Sequence, residues 1–129
     1  MNRKTILGLI AAAALVPMPA FAHHSYAMFD HTKEVTLKDA TVVSWEWTSP
    51  HTWLYLLVPN GTKDPTKYSV EGGNPGLLRR LGFSKGSMSP GDKVTVYISP
   101  LKSGDKGGAL NAVQLGSGQL LGERTRLIQ

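Results

Sequence analysis

Residues 35–58, VTLKDATVVSWEWTSPHTWLYLLV, decide the fold because they predict two successive β-strands. Apolar and polar side chains alternate over residues 35–47, a period of two that is typical of a strand with one buried face. The predicted buried face consists of Val35, Leu37, Val43, Trp45 and Trp47. A strand of this length should bend, and we expect the bend near residues 39–40. After a turn at residues 48–51, residues 53–58 predict the second strand.

Glycine and proline divide the rest of the chain into further short elements. Three more strands are predicted at residues 67–71, 93–99 and 109–115. Between the third and fourth strands, Asn74 is a predicted helix N-cap, Pro75 takes the first helical position and Gly82 ends the helix. This order predicts a mainly β protein, a small five-stranded OB-like closed barrel with one short helix. A two-sheet sandwich is the alternative.

The first 22 residues have the three parts of a secretory signal peptide. Arg3 and Lys4 give a basic start, residues 6–16 are apolar, and Ala20-Phe21-Ala22 forms a small-x-small cleavage site. The apolar run is about half of the ~20 residues that a membrane-spanning helix needs. We therefore predict export with cleavage after Ala22 and no membrane span afterwards, an uncleaved anchor being the alternative.

Cleavage defines the predicted organisation of the chain. The segments are a signal peptide (1–22), an N-terminal arm (23–34), an OB-like barrel domain (35–115) and a C-terminal tail (116–129). Loss of Arg3 and Lys4 lowers the formal net charge from +5 to +3. This scattered excess does not predict nucleic-acid binding. The chain has no cysteine, which excludes disulfides and thiolate metal sites.

The four histidines are His23, His24, His31 and His51. Cleavage after Ala22 would give His23 a free α-amine beside its own imidazole, and this pair can chelate Cu(II), which prefers tetragonal nitrogen ligands. His24 or His51 could complete a copper site. Ser25 occupies the third mature position, so the serum-type amino-terminal copper motif is absent. Alternatively, the His-His start is only a polar terminus, and His51 only hydrogen-bonds a loop carbonyl. His31 is predicted to be a solvated surface residue.

A second candidate site lies on the predicted barrel face. OB barrels bind ligands across their second and third strands, beside the adjoining loops. The candidate ligand-binding residues there are Trp47, Trp53, Tyr55 and Glu71. Aromatic rings beside a carboxylate suit a small amphipathic ligand such as a sugar or a peptide. Ordinary core packing of the tryptophans is the alternative. The helix start beside Glu71 could hold an anion, or Asn74 could simply cap it.

Catalytic residues are not predicted. Ser25, His51 and Glu71 are the residue types of a nucleophilic triad, but no nucleophile-elbow pattern links them. The loop at residues 103–108 is rich in glycine, yet it lacks the helix that follows a phosphate-binding loop.

Five segments carry a family resemblance. They read HHSYAMFD (23–30), WEWTSPHTW (45–53), EGGNP (71–75), LLRR (77–80) and PGDKVTV (90–96). They resemble a family of small exported bacterial proteins known only as a domain of unknown function. Members more often have Asn at the position of Ser49 and Gly at that of Ala40. The resemblance implies a periplasmic location and a small β-barrel, and it implies no activity.

Three functional hypotheses follow. The first is a periplasmic metal-binding protein that holds Cu(II) through His23, helped by His24 and His51. The second is a metal-free OB-like module that binds a small ligand or an envelope protein partner through its aromatic face. The third is an accessory subunit of an envelope complex.

Overall fold

A computed structural model describes residues 24–125, with side chains from Tyr26 onward. The predicted signal peptide and His23 lie outside the described residues. The strands are β1 (Val35–Glu46), β2 (Trp53–Val58), β3 (Thr66–Glu71), β4 (Lys93–Pro100), β5 (Gly107–Gln114) and β6 (Leu120–Gly122). The helices are α1 (His24–Ala27) and α2 (Pro75–Arg80). No described helix has both the length and the apolar character to cross a membrane.

The first five strands form a closed mixed barrel, as predicted. The hydrogen-bonded order is β3-β2-β1-β4-β5, and a parallel pairing between β3 and β5 closes it. Because β3 and β5 pair along this closing seam, neither strand has an unpaired sheet edge there. Helix α2 lies between β3 and β4 in the chain and begins as predicted, because Asn74 Oδ1 accepts from the Leu77 amide at 2.9 Å.

Strand β1 departs from strict alternation, which corrects the predicted buried face. Its register shifts between Leu37 and Ala40 against β4, and again between Val42 and Ser44 against β2. Each irregularity moves the following side chains to the other face. Ala40 and Val42 are therefore buried, whereas the predicted core residue Val43 is 47 % exposed. Asp39, with φ 52°, lies at the first irregularity and confirms the predicted bend.

The barrel interior is filled by aliphatic side chains from all five strands. Alternation on β4 is regular, and the predicted inward residues Val94, Val96 and Ile98 are buried. Strand β6, which the sequence did not predict, pairs with β5 and buries Leu121 against the core cluster.

Candidate functional site

The N-terminal arm is packed onto the connection between β4 and β5. Phe29 is 6 % exposed and forms an antiparallel bridge with Leu101. On either side of it, the Asp30 amide donates to the Pro100 carbonyl at 2.8 Å, and the Lys102 amide donates to the Met28 carbonyl at 2.9 Å. These contacts attach the middle of the arm to the barrel.

A tight turn follows Phe29 and orients His31. Asp30 Oδ1 accepts from the Thr32 hydroxyl at 2.6 Å and from the Thr32 amide at 3.1 Å. The Thr32 hydroxyl contributes most to holding the pKa of Asp30 down at about 2, and Lys33, 3.1 Å from the other carboxylate oxygen, adds to the effect. The His31 ring stacks on Tyr26 with centroids 4.1 Å apart, and its Nε2 donates to the Tyr26 carbonyl at 3.3 Å. His31 is thus half-buried, which is less exposure than a fully solvated residue would have.

The loop between β1 and β2 brings His51 beside Glu71, the last residue of β3. The Thr48 hydroxyl donates to the His51 carbonyl at 2.8 Å, which fixes the loop. Buried Thr52 then joins the loop to the end of β3, since its amide donates to the Gly73 carbonyl and its carbonyl accepts from the Gly72 amide. His51 Nδ1 lies 3.1 Å from Glu71 Oε1. The two side chains are 43 % and 13 % exposed, respectively.

One cleft joins the arm to this histidine–carboxylate pair. It has a volume of about 340 Å³. The arm contributes Tyr26, Phe29 and His31, and the barrel contributes His51 and Glu71. We call it the histidine cleft. Residues that lie far apart in the sequence therefore meet here, and two of the four histidines face the same space.

A second cleft lies on the other side of Phe29 and has a volume of about 260 Å³. Phe29 and Glu71 line both clefts. Trp53, Met28 and Leu101 provide further apolar walls here, so we call it the tryptophan cleft. The Trp53 ring stacks on the Tyr55 ring with an interplanar angle of 15°. Both residues belong to β2, so the aromatic surface continues along this strand.

A family comparison covers the parts of the chain that build both clefts. The family model described as "Family of unknown function (DUF6152)" matches residues 11–111. The chain belongs to this family. No curated protein and no solved structure matches the chain significantly. The resemblance expected from the five sequence segments is confirmed, and the DUF6152 family itself assigns no activity to either cleft.

This DUF6152 protein brings together only some of the residues predicted to form sites. His51 and Glu71 are in contact, and Trp53, stacked on Tyr55, lies directly opposite Glu71 in the β2–β3 register. Trp47 lines neither cleft. It packs against the core cluster, with the Arg79 guanidinium 5.5 Å above its ring.

The N-terminal ligands of the predicted copper site are not among the described side chains. His23 lies outside the described residues, and the side chain of His24, the first residue of α1, is not described. Within the part of the chain that the structure describes, no three His, Asp or Glu side chains are grouped closely enough to hold a metal ion.

Sequence reasoning missed His31 as a lining residue of this DUF6152 member. The local signal was present, because Asp30-His31-Thr32 is an Asx-turn sequence in which the acid binds the residue two positions on. Such a turn fixes the backbone around the histidine. The docking of the arm onto the barrel, which gives His31 its place, depends on contacts with residues about 70 positions away.

Proposed function

We propose that this protein is an exported copper-binding protein of the periplasm, whose site forms only after signal cleavage. In this proposal His23 binds Cu(II) through its α-amine and its imidazole. His51 adds a further imidazole, Glu71 orients His51, and His24 is an additional candidate ligand.

The contact between His51 and Glu71 carries the proposal. A carboxylate beside Nδ1 favours the tautomer with its proton on that nitrogen, which leaves the Nε2 lone pair for a metal. Histidines that bind metals almost always have such a carboxylate, carbonyl or water at the second ring nitrogen. The 3.1 Å separation between His51 Nδ1 and Glu71 Oε1 matches this arrangement.

The place of Tyr26 supports a shared site. Tyr26 lines the histidine cleft together with His51, and only three positions separate it from His23. A chain of three residues spans at most about 10 Å. If the chain is cut after Ala22, His23 would thus be within about 10 Å of Tyr26.

The donor chemistry favours copper over other metals. An α-amine and two imidazoles are nitrogen donors, and Cu(II) has the highest affinity for such ligands among the divalent first-row metals. The chain has no cysteine and therefore no thiolate, the ligand type that would favour a softer metal. In this proposal the processed α-amine of His23 is the decisive donor.

The test compares protein that begins at His23 with the same protein acetylated at its α-amine. We expect the first to bind one Cu(II) at least tenfold more tightly in a competition titration, because acetylation removes the amine donor from the second. The variant His51→Ala should lower the affinity of the first protein and leave that of the second nearly unchanged. Equally weak binding by both proteins would refute the copper proposal.

The tryptophan cleft favours a second candidate function, a binding module for a small amphipathic ligand. Its apolar walls and the stacked pair of Trp53 and Tyr55 suit a flat or apolar group, and Glu71 supplies a polar end. An envelope protein partner could present the same group. Ligands that bind in the tryptophan cleft should change tryptophan fluorescence whether or not the α-amine of His23 is free. Trp53→Phe should abolish that change, Trp47→Phe should retain it, and the reverse pattern would contradict this function.

A further inference from the structure

The outer face of β2 carries two aromatic rings. Trp53 and Tyr55 are two positions apart on this strand, and they alternate with Leu54 and Leu56, which are buried in the core. Successive side chains of a strand point to opposite faces, so the aromatic pair lies on the outside of the barrel. Its ring centroids are 6.2 Å apart, and the ring planes differ by only 15°. The pair therefore forms one aromatic surface.

The cross-strand neighbours of the aromatic pair are carboxylates and hydroxyls. Trp53 lies opposite Glu46 on β1 and Glu71 on β3, and Tyr55 lies opposite a serine on each of these strands. Residues directly opposite each other share one face of a sheet, so all of these side chains are close together. We call the aromatic pair and its cross-strand neighbours the outer platform: Trp53, Tyr55, Glu46, Glu71, Ser44 and Ser69.

Most polar groups of the outer platform have no protein partner within the described part of the chain. The Trp45 indole N–H, which is not part of the platform, donates to the Ser84 carbonyl at 2.9 Å. In residues 26–125, the indole N–H of Trp53 and the hydroxyl of Tyr55 make no such bond, and neither do the side chains of Glu46 and the two serines. These donors and acceptors are available to a ligand.

The tryptophan cleft continues the outer platform at one end. Trp53, Ser69 and Glu71 belong to both. The cleft volume of about 260 Å³ is below the range of about 300–1,000 Å³ typical of small-molecule pockets, so it suits one ring of a larger ligand. Met28 and Leu101 add apolar walls beyond the platform. A ligand that spans both regions needs a small apolar group at the end that enters the cleft.

Strand pairing favours a sugar over a peptide on this face. Strand β2 pairs with β1 on one edge and with β3 on the other, so an extended peptide finds no free backbone edge to join. The outer platform offers side chains instead. A pyranose ring has an apolar C–H face that can stack on an aromatic ring, and its rim of hydroxyl groups both donates and accepts hydrogen bonds.

We propose that the outer platform and the tryptophan cleft bind an oligosaccharide of N-acetylhexosamine, an inference that rests on the second candidate function and is independent of copper. One sugar ring enters the cleft, where its acetamido methyl group contacts Met28 and Leu101 and its amide N–H donates to the Glu71 carboxylate. The next ring lies over the aromatic pair, and its hydroxyls bind the platform serines.

The first experiment compares triacetylchitotriose with cellotriose, two trisaccharides of the same linkage that differ in their acetamido groups. The protein is residues 23–129 without added metal. We expect triacetylchitotriose to bind at least about fourfold more tightly, which is the factor that burial of one methyl group provides. It should also shift the NMR signal of the Trp53 indole N–H. Equal affinities, or binding that leaves this signal unchanged, would overturn the proposal.

The variant Met28→Gln tests the acetamido contact. It keeps the length of the side chain but makes the cleft wall polar, and Met28 is 47 % exposed, so the barrel should fold normally. The affinity for triacetylchitotriose should fall nearly to that for cellotriose, while the affinity for cellotriose stays the same. Leu120→Gln is the matched control at a residue that is 48 % exposed on β6, and it should alter neither affinity. A preference that survives in Met28→Gln would contradict the proposed orientation.

The variant Trp53→Leu tests the outer platform itself. Loss of the indole ring should weaken the binding of both sugars by about tenfold. Tyr97→Leu removes an aromatic ring from a half-buried position on β4 and should leave both affinities unchanged. Thermal unfolding of both variants confirms that they are folded. Equal losses of affinity in the two variants would exclude a specific role for the platform.

A peptide probe separates this inference from the second candidate function. If the tripeptide glycyl-leucyl-phenylalanine shifts the Trp53 indole signal and neither sugar does, the oligosaccharide inference fails, whereas the tryptophan cleft still binds amphipathic ligands. If none of the three compounds binds, both the inference and the second candidate function fail.

Discussion

His51 Nδ1 and Glu71 Oε1 are separated by 3.1 Å, and they come from a loop and a strand end that are 20 positions apart. Their pairing depends on Thr52, which fixes the loop to Gly72 and Gly73. It is the one histidine–carboxylate contact in residues 26–125. It gives His51 a defined orientation before any ligand arrives.

The first prediction concerns Glu71. We expect Glu71→Gln to weaken Cu(II) binding by about 10- to 100-fold, because His51 loses the carboxylate that orients it. Glu46→Gln is the control, since Glu46 also pairs with Trp53 across the sheet but makes no ion pair with His51. Competition titrations of the processed protein give both affinities. Equal losses of Cu(II) affinity in the two variants would mean that the negative charge near the site, and not the contact with His51, determines the affinity.

The second prediction concerns the pH dependence of the arm. Because the folded protein holds the pKa of Asp30 at about 2, below its ordinary value of 3.8, the carboxylate stabilises the arm above pH 3.8. This contribution is lost as the pH falls from about 4 to about 2. Carboxyl chemical shifts should therefore titrate near 2, and the protection factors of the Thr32 and Lys33 amides, which correct for intrinsic exchange, should fall over that window.

The variant Asp30→Asn tests the same contact at neutral pH. The protection factors of the arm amides in this variant should already be low at pH 7 and should not change further with acid. Asp64→Asn, a matched change in an exposed loop far along the chain, should behave as wild type does. A pH response that survives in Asp30→Asn would assign the effect to a different group.

The third prediction concerns the barrel core. Leu54 on β2 is fully buried, so Leu54→Ala should lower the free energy of unfolding by about 2–5 kcal/mol. Leu120 on β6 is 48 % exposed, and Leu120→Ala should change the free energy of unfolding by no more than about 0.5 kcal/mol. Urea unfolding of both variants measures the difference. Similar values for the two leucines would contradict the inward orientation of Leu54.

The fourth prediction concerns Gly108 at the closing seam. A Cβ atom at this position would collide with the Ser99 carbonyl oxygen and with the side chain of Ile98. Gly108→Ala should therefore destabilise the fold by about 1–3 kcal/mol. Gly86→Ala is the control, because a Cβ there meets no atom within 4 Å and the φ angle is not positive. Thermal unfolding should separate the two variants clearly.

The sequence predicted the fold well where regular alternation reflects burial. Strand β4 lies where Val94, Val96 and Ile98 predicted it, and the helix begins at its predicted cap. Alternation wrongly predicted that Val43 is buried, because the irregularities of β1 depend on its pairing with two neighbouring strands. Strand β6 was missed because three residues carry too little pattern.

The candidate site was only half predictable. His51 and Glu71 were each singled out by residue type, but their contact follows from the β2–β3 register and from the hydrogen bonds of Thr52. The burial of Glu34, whose side chain is 4 % exposed, was not predicted either, since one acid before a strand has no sequence signature. Its burial depends on Arg124, 90 positions later.

The parallel pairing of β3 with β5 has a consequence for the order of folding. It joins Ser69 to Gly107 and Glu71 to Ala109, so each pair closes a loop of about 38 residues. The β2–β3 hairpin joins residues that are much closer in the chain, and contacts of long sequence separation are the slow ones to form. We therefore expect the seam to close later than the β2–β3 hairpin. Glu71 lies on that seam, so the cleft around it should be complete only in molecules that have finished folding.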